Sequence, residues 1–500
     1  MQEKLNTLKS KLKDITNLQK AAAVLIWDQE VNMPPGGAEA RAEQLATLQK
    51  LSHEMFVSDE IGVLLGDLAQ VDFDYDSDDA ALIRVTRRDY DKTRKLSTEL
   101  VEEMSRTFAL GQHVWAKARQ NKNFAEFQDT LAKVVDLNIQ AAEAYGYDEC
   151  LYDALLDDFE PNMKTSEVRT VFDELKATLV PLVAQISERV DAVDNSLLQQ
   201  NYPNQAQWDF SMVALEAIGF DLKRGRQDKS THPFSISFSV NDSRVTTRIS
   251  EDTFPSSLFS TLHEGGHGMY EQNIGQSLDG TPLAGGTSLG VHESQSRMWE
   301  NILGRSQPFW QFYYPQLQNA FPDQLGQADM NQFYRAINKV EPSLIRVEAD
   351  EVTYNLHVFL RFELEQELLE QRLKIADLPA AWNAKMEEYL GLTPPDDALG
   401  VLQDVHWSGG MMGYFPTYTL GNIMSVQFYN QTLKEIPDLP QQFARGEFGA
   451  LLSWFTENIH QHGRKYTANE LLKRVAGSDT IDAKPYLGYI QQKFGEIYNL

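Results

Sequence analysis

In the run Phe259-Ser260-Thr261-Leu262-His263-Glu264-Gly265-Gly266-His267, two histidines stand four residues apart and a glutamate follows the first. On a helix a spacing of four turns through about 400°, so both imidazoles share one face and can converge on a single ion. Glu264 lies about 100° round from His263, beside such an ion and not on it, where a carboxylate can take a proton from an activated water. A catalytic zinc takes three protein ligands and keeps one position open. Glu293, 26 residues after His267 and near the start of a second helical segment, is the third ligand of choice. Glu300 follows seven residues later on nearly the same face and can instead hold a ligand histidine from behind. Gly265 and Gly266 each cost about 1 kcal/mol relative to alanine inside a helix, and are read as clearing room for a substrate. His232, His263, His267 and His292 fall within 61 residues, a density that ordinary core histidines do not predict.

Positioning these groups requires helices. Leu5, Leu8, Leu12, Ile15 and Leu18 follow spacings of three and four, the apolar stripe of an amphipathic helix. The stretch from Ala81 to Arg119 lacks proline and predicts one helix of roughly 55 Å. Further helical periodicity covers Thr165 to Val190, Asn331 to Val340, Ile345 to Leu373 and Leu451 to His460, with prolines at the borders. One segment differs. Phe234, Ile236, Phe238 and Val240 alternate with polar residues, Asn241-Asp242 turns the chain, and Val245, Thr247 and Ile249 alternate on the return. This predicts a small β-hairpin immediately before the histidine motif. An exposed edge there could pair with an extended peptide backbone.

Composition narrows the chemistry. A net charge of −27 argues against nucleic acid and against anionic membrane surfaces as partners. No apolar run approaches the roughly 18 residues of a membrane span, and the first residues lack a secretory signal, so the expected location is cytoplasmic. The lone Cys150 excludes an intramolecular disulfide framework. No linker, repeat or low-complexity tract offers a place to cut, so residues 1–500 read as a single domain, with about 1–80 as a candidate lid.

Taken in order, His232-Pro233-Phe234, Asp242-Ser243-Arg244-Val245-Thr246, His263-Glu264-Gly265-Gly266-His267, His292-Glu293-Ser294-Gln295, Ile345-Arg346-Val347-Glu348-Ala349-Asp350 and Gly400-Val401-Leu402-Gln403-Asp404-Val405-His406-Trp407 resemble the motif set of the thermostable carboxypeptidase Taq family. Trp27-Asp28-Gln29-Glu30 and Met33-Pro34-Pro35-Gly36 resemble it too. The resemblance implies a zinc metallocarboxypeptidase that removes single residues from a peptide's free C-terminus with broad specificity. It implies that cobalt can replace zinc, and that the chain forms a homodimer. The implied fold is mostly α, a helical shell around a deep substrate groove similar to neurolysin and the angiotensin-converting enzymes, with the hairpin beside the zinc helix.

The same resemblance points to His406 and to Tyr414 or Tyr418 as neutral donors to the oxyanion. Carboxypeptidase action also needs a cation for the terminal carboxylate, and the planar fork of arginine suits it. Arg346 is preferred, Arg244 second, with Arg297 also inside a motif; the alternative role is an internal ion pair, with Asp350 for Arg346 or Asp242 for Arg244. His232 could donate to substrate or cap the hairpin, Gln403 and Asp404 could orient His406, and Trp299 and Trp407 read as core. An endo-oligopeptidase of similar shape, or a scaffold that has lost the chemistry, would be the alternatives. Retention of Glu264, both histidines and Glu293 weighs against the latter.

Overall fold

The computed structural model describes every residue except Pro255 and is mostly α-helical with one three-stranded sheet. The chain divides into two compact units, each assembled from three stretches. The first comprises Met1–Arg94, Asn195–Ile337 and Ser425–Thr480; the second comprises Lys95–Asp194, Asn338–Met424 and Ile481–Leu500. Among the described residues no helix is long and apolar enough to cross a membrane.

In the first unit the N-terminal helix, Gln2–Val31, buries Leu5, Leu8, Leu12 and Ile15, the stripe that the spacing predicts. It packs on helix Ala38–Phe56 and on the sheet, where Lys20 Nζ donates to the Ser237 carbonyl at 2.8 Å. The hairpin is present as β2 (Ser235–Ser239) and β3 (Asp242–Thr247), antiparallel, with a register irregularity between Ser237 and Ser239. A third strand, β1 (Gly225–Lys229), pairs parallel with β3, giving the order β1-β3-β2. Its sequence, GRQDK, has no apolar alternation by which to predict a strand. The central strand buries Ser243, Val245, Thr246 and Thr247, and helix Ser256–Gln272 packs against it.

The single long helix expected over 81–119 is two helices, Asp78–Thr93 and Thr98–Gln120. Ser97 breaks it: its backbone is extended and its hydroxyl accepts the Leu100 N–H at 3.2 Å, capping the second helix. The helix expected over 345–373 is also shorter. Residues Arg346–Glu348 form one 3₁₀ turn, and the α-helix runs only from Tyr354 to Leu369. Between them the Asp350 carboxylate accepts the N–H groups of Val352 and Thr353 and the Thr353 hydroxyl, a local bonding pattern that competes with continued helix. Helix Tyr354–Leu369 is buried nearly all round, and His357, Arg361 and Glu365 recur every four residues along it.

Candidate metal centre

Helix Ser256–Gln272 presents His263, His267 and Glu271 at successive spacings of four, on one face. Its glycines decide how closely neighbours approach. A Cβ on Gly266 would lie 2.7 Å from the Gln295 carbonyl oxygen and from Ser296 Cα, and one on Gly265 would lie 2.7 Å from Leu215 Cδ1. These positions are therefore spent on helix–helix packing, and not on room for a substrate as the sequence suggested. At Gly266 the partner is the backbone of helix Leu289–Arg297, and that contact delivers Glu293 to the histidines.

Glu293 Oε2 stands 3.6 Å from His263 Nε2 and 3.5 Å from His267 Nε2. One ligand atom from each residue lies within 4.8 Å of the others, as a shared cation requires. Tetrahedral ligands at about 2.1 Å from zinc would be separated by about 3.4 Å, so the donor set fits such an ion in both type and spacing. The remaining atoms are held from behind. His263 Nδ1 is 2.8 Å from Glu300 Oε2, the arrangement anticipated from sequence. Arg297 donates from Nε to Glu293 Oε1 at 2.7 Å and from NH1 to Glu300 Oε2 at 3.2 Å. The helix continues as a π-helical turn, Met298–Leu303, which carries Glu300.

Charge reinforces the fit. Burial pulls His267 down to about 4. At His263 burial acts the same way but is outweighed by Glu293, Glu300 and Glu264, which lift it to about 9. The field that retains a proton there equally favours a divalent cation. Glu293 is held far below the carboxylate range, against burial, by Arg297 and His263. Glu300 is drawn down to about 2, also against burial, by Arg297, His263 and Arg305. Burial raises Glu264, which is 6% exposed, to about 7.

Two residues of this centre were given no role from the sequence. His267 Nδ1 meets His292 Nδ1 at 2.6 Å, and His292 Nε2 meets Glu271 Oε1 at 2.9 Å. Burial pushes the Glu271 carboxyl up, but His292 and Lys20 bring it below its usual value. The spacing of Glu271, four residues after His267, was the signal that could have found it.

The second unit gathers the other motif residues. Asp404 accepts from Arg346 Nε at 3.2 Å and NH2 at 2.8 Å, and from Arg361 Nε at 2.7 Å. Arg346 thus pairs with Asp404 and not with Asp350, whose oxygens are taken by backbone and Thr353. Arg346 NH1 donates to the Tyr354 hydroxyl at 2.8 Å. His406 Nε2 lies 3.3 Å from the Tyr418 hydroxyl, and the Tyr414 ring packs on His406 and Tyr418 at 5.1 and 5.3 Å between centroids. Gln403 accepts the Arg346 N–H at 2.9 Å, while Asp404 is 3.8 Å from His406 Nδ1. Both residues therefore orient Arg346, in place of the expected His406. Burial, with Arg346 and Arg361 adding to it, takes His406 down to about 3 and keeps it neutral.

Back in the first unit, Arg244 on β3 makes a bidentate pair with Asp242, the internal ion pair that was the alternative to a substrate role, 2.9 Å for each bond, beneath Trp27 and Phe238. His232 is exposed between β1 and β2. Trp299 and Trp407 are buried, as expected of core residues; the Trp407 indole donates to Glu365 at 2.7 Å.

Two helices that bring His-Glu-x-x-His and a distant glutamate together have the donor arrangement that a metallopeptidase requires. Comparison with known proteins gives the family. A family model described as carboxypeptidase Taq (M32) metallopeptidase matches residues 7–494. The thermostable carboxypeptidase 1 of Thermus thermophilus is 41% identical over 493 residues, covering 96% of each chain. The carboxypeptidase 1 of Bacillus subtilis is 36% identical, covering 98% of this chain and 97% of that one. The crystal structure of an M32 carboxypeptidase from Deinococcus radiodurans R1 superposes with a TM-score of 0.96 at 39% identity over the whole of both chains. The chain belongs to the carboxypeptidase Taq (M32) family of metallopeptidases, and is a metallocarboxypeptidase.

Proposed function

We propose that the protein is a zinc-dependent carboxypeptidase that removes single amino acids from the free C-terminus of peptides with broad specificity. The observation that carries this reading is the convergence of His263 Nε2 and His267 Nε2 on Glu293 Oε2 at 3.6 and 3.5 Å. Zinc in such a set supplies a Lewis acid that polarises a carbonyl and acidifies a water; cobalt can take its place. His263, His267 and Glu293 hold the ion. Glu264 accepts the proton of the attacking water on its carboxylate and returns it to the leaving amine. A neutral His406, with Tyr414 or Tyr418, donates hydrogen bonds to the developing oxyanion.

Arg346 is assigned to the substrate's terminal carboxylate. Its NH1 is held by a neutral hydroxyl, which an anion can replace, and its other nitrogens face Asp404, which Arg361 shares. Arg244 is the second choice because Asp242 occupies its fork; His232 is a further candidate contact. In the same reading residues 1–500 work as one catalytic domain, about 1–80 acts as a lid, and the enzyme is a cytoplasmic homodimer.

The deciding experiment offers the purified enzyme an N-blocked peptide as free acid and as C-terminal amide, with zinc or with chelator, followed by mass spectrometry. Stepwise loss of single residues from the free acid alone, abolished by chelator, is expected. Internal cleavage of both peptides would overturn the exopeptidase reading.

A further inference from the structure

We propose that His292 is a positioning residue: with Glu271 it forms a two-imidazole relay that fixes the tautomer and orientation of the ligand His267. The proposal rests on the metal-centre reading above. With His292 neutral, each atom of the relay has one self-consistent role. A carboxylate oxygen accepts, so the His292 Nε2 at 2.9 Å from Glu271 Oε1 carries the hydrogen. In a neutral imidazole the other nitrogen is then an acceptor, so the hydrogen in the 2.6 Å Nδ1···Nδ1 contact belongs to His267. That leaves the lone pair of His267 on Nε2, the atom 3.5 Å from Glu293 Oε2.

The surroundings are built for this ring. Gly286 has no side chain where a Cβ would lie 2.5 Å from His292 Cδ2, and the Tyr270 ring packs against His292 at 5.0 Å. The two ligand histidines are consequently supported differently. His263 reaches the Glu300 carboxylate directly, whereas His267 reaches Glu271 through a second imidazole. Partners of this kind typically contribute 10- to 100-fold in metal affinity.

The test measures zinc affinity by chelator competition for His292→Phe, Glu271→Gln and the double variant, with His263→Ala as a control. His292→Phe is expected to weaken zinc by about 10- to 100-fold. Glu271→Gln should weaken it less, and the double variant should be no worse than His292→Phe alone, because Glu271 acts through His292. The strongly downfield proton resonance of the short imidazole–imidazole bond should disappear in His292→Phe. Wild-type affinity in His292→Phe, or losses that multiply in the double variant, would overturn the relay. Were His292→Phe unable to fold, unchanged affinity in Glu271→Gln would overturn it equally. Failure of wild-type protein to bind zinc, or full binding by His263→Ala, would instead defeat the metal-centre reading itself.

Discussion

Glu264 and His263 are chain neighbours with opposite fates, one raised as an acid to about 7 by burial and the other raised as a base to about 9 by carboxylates. A glutamine at 264 keeps the shape but cannot take a proton. Glu264→Gln should therefore retain metal and lose roughly 10²- to 10⁴-fold in kcat, with metal content and turnover measured on one sample. Near-normal turnover would remove Glu264 from the reaction. Arg346→Ala should raise KM for free-acid peptides by about 10- to 100-fold, the value of a hydrogen bond to charge. Asp404 keeps Arg361, so the variant still has a compensated buried carboxylate. If Arg244→Ala alone raised KM, the two arginines would exchange roles. The shared face of His263 and His267 was legible because a spacing of four encodes one side of a helix. The partner of Arg346 was not: Asp350 is near in sequence, but the carboxylate it meets is 58 residues away.

Among the helices, the contact at Gly266 has the sharpest consequence. Alanine in a helix is ordinarily stabilising relative to glycine by about 1 kcal/mol. Here its Cβ would press on the backbone of residues 295 and 296, which cannot yield as a side-chain tip can. Gly266→Ala should push helix Leu289–Arg297 away and, with it, Glu293, weakening metal by roughly tenfold or more in chelator competition. Gly265→Ala meets only the side-chain tips of Leu215 and Ile218 and should be milder. Equal effects would refute the packing argument. The amphipathic N-terminal helix and the hairpin were readable as patterns of period 3.6 and 2. The break at Ser97 was not, since the residues around it favour helix and only a side-chain cap interrupts it. Strand β1 was unreadable because a polar edge strand carries no alternation.

Across the whole molecule, buried histidines tie stability to pH. His460, fully buried between Tyr270 and Phe455, is pulled down to about 3 by burial, with His292 adding to the shift. An unfolded histidine protonates near 6.5. Between these values the unfolded chain binds the extra proton, so stability is full above about 6.5 and falls with decreasing pH by about 1.4 kcal/mol per unit. His460→Phe removes this contribution. Its melting temperature, measured on chelator-treated protein from pH 6 to 4.5, should fall less steeply than that of the wild type, even though the loss of the bond to Gln295 lowers it throughout. Parallel curves would show that His460 titrates normally.

The interleaving of the two units was invisible in a sequence without linkers. The chain passes between them five times, at residues 94, 194, 337, 424 and 480. All three residues of the candidate metal centre have therefore been synthesised by residue 293, yet the unit that holds them still lacks its stretch 425–480. Neither unit can mature vectorially as it is synthesised, because both wait for their last segment. A nascent chain stalled near residue 400 should be degraded readily by protease, and protection should arrive for both units only after residues 425–500 have been synthesised.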